Sequence, residues 1–176
     1  MFELGDASVA SCETTLVSIM LANNEIGTIQ NIKELSEIAH RNGAYFHTDA
    51  VQAVGHIPID VKELGVDFLS ASAHKFNGPK GIGFLYARNG SVLQPLNDGG
   101  AQERGMRAGT ENVASIVGMA VALKNNVIHI EDNASRLSGF EAKLEKQLLD
   151  HGISFIRNGD GNHIPEIGRA SCRERV

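Results

Sequence analysis

The chain has no tryptophan, two tyrosines and only two cysteines among its 176 residues. The cysteines, Cys12 and Cys172, stand near opposite ends. Such spacing forms no metal-ligand pair and argues against a disulfide framework. Positive charge is also scarce. Lys and Arg number 16 against 21 Asp and Glu, for a net charge of −5 and a pI near 5.8. A general nucleic-acid binder presents a basic face, and this composition argues against that class. No apolar run approaches the roughly 18 residues of a membrane span. The opening residues Met1-Phe2-Glu3-Leu4-Gly5-Asp6 lack the basic and apolar regions of a signal peptide. The expectation is a soluble cytoplasmic protein that binds neither nucleic acid nor membrane. Seven histidines (His40, His47, His56, His74, His129, His151 and His163) are scattered, with no i, i+4 pair of the kind that binds zinc on a helix. No protein metal site is expected.

What is present suits an α/β protein. Hydrophobic residues make up 42% of the chain, enough for a core, and 19 glycines allow many strand–helix turns. Residues 16–22 form a continuous apolar run, the pattern of a strand buried on both faces. Ile32, Leu35, Ile38 and Ala39 recur at helical spacing, with Gly43 as a stop. The pattern predicts strands at 45–48, 66–69 and 82–86, the last of them antiparallel, and a short helix at 61–64 ended by Gly65. Residues 111–149 read as helical, with interruptions at Asn125-Asn126 and near Asn133. A further strand is expected at 153–156. Alternating strands and helices imply an open, mainly parallel sheet flanked by helices. Ligands in such sheets sit beyond the carboxyl ends of the strands.

The run Ser70-Ala71-Ser72-Ala73-His74-Lys75-Phe76-Asn77-Gly78-Pro79-Lys80-Gly81 places a lysine among small and polar residues, just past an apolar segment. A desolvated lysine there becomes a usable amine nucleophile. The chemistry that wants this amine beside phosphate-binding hydroxyls is Schiff-base chemistry with pyridoxal phosphate. Asp49 ends a short strand and supplies the carboxylate such a cofactor needs at its pyridine nitrogen. Ser72 and His74 can both donate to phosphate oxygens. The bland readings are a loop lysine, a helix-capping aspartate and a turn serine. Gly78-Pro79-Lys80-Gly81-Ile82-Gly83 lacks the Gly-x-x-x-x-Gly-Lys-Ser/Thr pattern of a phosphate loop and reads as a tight turn into a strand.

Taken with Asn23-Asn24-Glu25-Ile26-Gly27, Thr48-Asp49-Ala50-Val51-Gln52 and Arg104-Gly105-Met106-Arg107-Ala108-Gly109-Thr110-Glu111-Asn112, the Ser72-Ala73-His74-Lys75 motif resembles the cysteine desulfurase family. These are fold-type I, class V aminotransferase-like pyridoxal-phosphate enzymes. The likeness runs from about residue 15 to about residue 126, and more loosely to about 165. It implies that the imine forms on Lys75, the lysine after His74, rather than on Lys80. It implies that Asp49 pairs with the pyridinium and that Asn24 and Gln52 contact the phenolate oxygen. Ser72 and His74 would bind the phosphate. Thr110 would reach the phosphate of the other subunit's cofactor in a homodimer, although it could equally cap a helix at Glu111.

The resemblance also implies an organisation. Residues 1–14 match poorly, 15–130 form part of a cofactor-binding large domain, and 131–167 begin a small α+β domain. Residues 168–176 read as a non-native or truncated tail. The chain reads as a central piece of a longer enzyme that converts L-cysteine to L-alanine and passes persulfide sulfur to acceptor or scaffold proteins for iron–sulfur assembly. The family's persulfide cysteine, ring-stacking histidine and substrate-carboxylate arginine have no counterpart here, so the chain alone is expected to be inactive. A selenocysteine lyase shares the same anchor. A catalytically inactive interaction domain is the alternative of a different class.

Overall fold

The computed structural model describes residues 13–159 and 161–164. Cys12, Cys172, the segment up to residue 12 and the 168–176 tail lie outside the described residues. Strand β1 (Leu16–Met20) is followed by helix α1 (Ile32–Arg41), strand β2 (Tyr45–Asp49), the single-turn helix α2 (Val61–Leu64) and strand β3 (Phe68–Ser72). Strand β4 (Gly83–Ala87) and helices α3 (Val113–Ile128) and α4 (Ile130–Asp150) complete the regular elements. Spatial order equals chain order, β1-β2-β3-β4. The first three strands are parallel and β4 is antiparallel to β3.

Each connection has a local cause. Ile32, Ser36 and Ala39, spaced four and three apart, are the buried stripe of α1. The Ser36 hydroxyl lies 2.8 Å from the Leu64 carbonyl, tying α1 to α2. Asp60 caps α2 by accepting from the Lys62 and Glu63 amides, and Gly65 ends it at φ 72°. Gly83 lets β4 approach β3, since a Cβ there would sit 2.2 Å from the Ala71 carbonyl oxygen. In β2, Phe46 and Thr48 are buried while Tyr45, His47 and Asp49 are half-exposed. This period-2 alternation divides the sheet into a core face and a second, more open face. The core joins Phe46, Leu69, Phe76, Val66 and Ile32, and Ile164 returns to it from beyond α4. On the open face Tyr45 and Phe68 pack ring to ring at 6.0 Å.

Several sequence expectations shift. The apolar run at 16–22 is not a strand buried on both faces: among the described residues β1 (Leu16–Met20) lies at the end of the sheet, and none of its residues is fully buried, Leu16 being exposed. The third strand begins at Phe68 rather than residue 66 and carries Ser70 and Ser72 within it. The serines look like loop residues in sequence, yet Leu69 and Ala71 point to the core and the serines take the open face. The long helical region breaks at His129, where α3 and α4 meet at a bend of 70°. Asn126 does not interrupt α3, because its side chain bonds to the Ala122 carbonyl one turn back. Residues 153–156 form no strand; Ile156 is exposed, and the segment pairs with no other strand among the described residues. Among the described residues no single helix is long and apolar enough to cross a membrane. Val113, Val117 and Val121 form an exposed apolar stripe, four residues apart, along α3.

Candidate active site

Three parallel strands end on one edge, and the chemistry-bearing residues follow those ends. Asn24 lies in the turn past β1, Asp49 is the last residue of β2, and Ser72 is the last of β3. In register, Asp49 stands between Met20 and Ser70. Asn23 builds the first turn: its Oδ1 accepts from the Glu25 and Ile26 amides at 2.8 and 3.0 Å. Asn24 is left exposed. Asp49 Oδ1 accepts from the Val51 amide at 2.9 Å. Among the described residues no other group bonds to this half-buried carboxylate. Gln52, also half-buried, follows in the same turn.

After Ser72 the chain enters one turn of 3-10 helix, Ala73–Phe76. Residues three apart eclipse in that geometry. Ala73 and Phe76, both fully buried, therefore point inward together, and His74 and Lys75 point out. The sequence expectation of a desolvated lysine is thus corrected: Lys75 is exposed, because the 3-10 repeat reserves the core for its neighbours. Ser72 Oγ and His74 Nδ1 lie 2.8 Å apart and form a hydroxyl–imidazole pair at the turn's start. Lys80 is exposed in the turn before β4. Thr110 is exposed in the loop before α3; among the described residues no hydrogen bond joins it to Ser72, His74 or Lys75. It is also not the helix cap, since Asn112 caps α3 by accepting from the Ser115 amide.

Sequence reasoning missed a second tier of polar groups. His47 lies on the open face between two hydroxyls, with Nδ1 2.7 Å from Ser18 Oγ and Nε2 3.2 Å from Ser70 Oγ. His56 Nε2 donates to the Lys75 carbonyl at 2.9 Å. Gly55, just before it, has φ 81°, and a Cβ there would come within 2.9 Å of Phe76 Cβ. Gly55→Ala is therefore expected to cost about 2 kcal/mol through left-handed backbone strain and overpacking. Urea denaturation checks this; an unchanged midpoint would show that the turn can give way.

The sequence pattern of the class-V aminotransferases matches residues 6–161. The chain belongs to the class-V aminotransferase family. Among its relatives, the cysteine desulfurase IscS of Dictyoglomus turgidum is 55% identical over 157 residues, covering 87% of this chain and 39% of that protein. A solved NifS-like protein superposes with a TM-score of 0.84 at 41% identity, covering 90% of this chain and 44% of that one. The structure of SspA in complex with cysteine superposes with a TM-score of 0.71 at 38% identity, covering 80% and 40%. This class-V chain thus spans about two fifths of the length of these relatives. The class-V and NifS-like enzymes depend on pyridoxal phosphate.

The residues at the strand edge fit that cofactor. Lys75 presents an accessible amine, Ser72 and His74 present phosphate donors, and the Asp49 carboxylate keeps capacity for a ring N–H beyond its bond to Val51.

Proposed function

We propose that this chain is the cofactor-holding segment of a cytoplasmic, pyridoxal-phosphate-dependent cysteine desulfurase. The observation that carries the reading is the outward Lys75 amine, directly after the Ser72–His74 pair, on the strand edge that also ends in Asp49. When bound, pyridoxal phosphate supplies an electron sink for bond cleavage at the substrate. Lys75 would hold the cofactor through its amine and carry a proton to and from the substrate Cα. Asp49 would accept the ring N–H, a charge-assisted bond that keeps the ring protonated. Ser72 and His74 would donate to the phosphate, and Asn24 and Gln52 to the phenolate oxygen. Thr110 would reach the phosphate held by the other subunit of a homodimer. The substrate of the intact enzyme is L-cysteine, the product L-alanine, and the sulfur passes to an acceptor or scaffold protein.

The test is chemical. The purified chain, incubated with equimolar pyridoxal phosphate and reduced with borohydride, should yield one dominant labelled peptide, with the label on Lys75. Dominant labelling of Lys80, or even labelling of all exposed lysines, would refute the reading.

A further inference from the structure

The backbone around Lys75 is held from outside at successive residues. The Lys75 carbonyl accepts from His56 Nε2 at 2.9 Å. The Phe76 carbonyl accepts from Asn126 Nδ2 at 2.7 Å. Asn77, in the left-handed region at φ 64°, donates its side-chain amide to Asn126 Oδ1 at 3.1 Å. Asn126 also donates to the Ala122 carbonyl at 2.8 Å. Asn126 is 8% exposed, so both its amide donors and its oxygen are engaged away from water. A buried amide with all its partners made fixes its neighbours, because each bond lost would leave a desolvated group unpaired. Below the turn, Gly78 donates to the Ala73 carbonyl at 2.8 Å, and a Cβ on Gly78 would meet Ala73 Cβ at the same distance. The turn is closed at its base by backbone and gripped on its flank by α3.

A surface turn that served only to join β3 to β4 would need no buried amide from a helix fifty residues on. We propose that Asn126 is a positioning residue for Lys75, working with Asn77: it pins the two residues after the lysine, so that the amine leaves the turn in one direction, along the strand edge shared with Asp49. The inference rests on the cofactor reading of Lys75 above. It adds that α3 sets where that amine points. Lys80, past Pro79 and outside this grip, serves as the internal comparison.

The test uses two variants of the whole chain. Asn126→Asp is nearly isosteric but cannot donate, and it sets a carboxylate against the Phe76 and Ala122 carbonyls. Asn77→Gly removes only the other arm and suits the left-handed backbone, so it folds even where Asn126→Asp does not. Two readouts are taken: hydrogen exchange at the Asn77 and Gly78 amides, and the distribution of borohydride-fixed pyridoxal phosphate between Lys75 and Lys80. The expected result is at least tenfold faster exchange at both amides, with α1 amides unchanged, and a shift of label from mostly Lys75 to near parity with Lys80. Unchanged exchange, or faster exchange with the label still on Lys75, overturns the positioning role. The unsubstituted chain is the separate control: label away from Lys75 there refutes the cofactor reading itself, and the positioning role falls with it, whatever the variants do.

Discussion

Replacing Asp67 by alanine is expected to lower the free energy of unfolding by about 3 kcal/mol. Asp67 is 5% exposed and gathers two hydrogen-bond donors and one cation. Its Oδ2 accepts from the Phe46 amide at 2.8 Å and from His40 Nε2 at 2.7 Å. Its Oδ1 faces the Arg88 guanidinium at 3.5 Å. Arg88 in turn donates to the Gly65 carbonyl that ends α2. The decisive loss is the Phe46 amide. It lies on β2, between two neighbouring strands and beneath a fully buried side chain, and without Asp67 this buried amide loses its acceptor. His40 and Arg88 are more than one third exposed, so they can return to solvent and add less. Domains of this kind have only about 5–15 kcal/mol in total, so the effect is large. Asp67→Asn keeps an acceptor for Phe46 and should cost less than half as much. Urea titration of both variants measures the difference; equal midpoints for alanine and the unsubstituted chain would show that the carboxylate contributes nothing.

The dominant label should be lost in Lys75→Ala and kept in Lys80→Ala. The two lysines are both exposed and only five residues apart, so general lysine reactivity would treat them alike. What separates them is the company each keeps. Lys75 follows the Ser72–His74 pair and lies past the same sheet edge as Asp49. Lys80 sits between Pro79 and Gly81 in the turn into β4. Visible absorbance and borohydride labelling of the two variants, read side by side, check the prediction. Label retained by Lys75→Ala at another lysine, at the level of the parent chain, would mean that the edge does not select its amine.

The parts of this architecture written in short-range pattern were legible beforehand. The α1 helix, the short α2 with its Gly65 stop, and the antiparallel β4 follow from spacing and turn chemistry and appear where the sequence puts them, although Ser36, not Leu35 or Ile38, joins Ile32 and Ala39 in the buried stripe. The placement of Asn24 and Asp49 at the ends of β1 and β2 was legible for the same reason, since each follows an apolar run. What was illegible depends on distant partners. Ser70 and Ser72 read as loop because alternation is weak evidence when one face of a strand is open. Lys75 read as desolvated because no local pattern reveals that Ala73 and Phe76 claim the interior. Asn126 read as a helix breaker, and its role appears only when Phe76, fifty residues earlier, is laid against it. The lysine, carboxylate and hydroxyl pattern was enough to suggest the cofactor; the arrangement that holds the amine-bearing turn came from the structure alone.

The chain-order sheet has a consequence for the order in which the protein assembles. Bonds between β1 and β2 join residues 29 apart, as in Ser18 to His47, and the Asp67 bond to Phe46 spans 21. Each strand leaving the ribosome finds its neighbour already made, and closing loops of this length costs little more than closing shorter ones. The turn that carries Lys75 obeys a different clock. Its own residues emerge soon after β3, but the amide that grips it belongs to α3. A nascent chain halted before Asn126 would therefore hold a paired sheet with a loose amine, and the reactive group would take its final direction only after the strands beside it had joined.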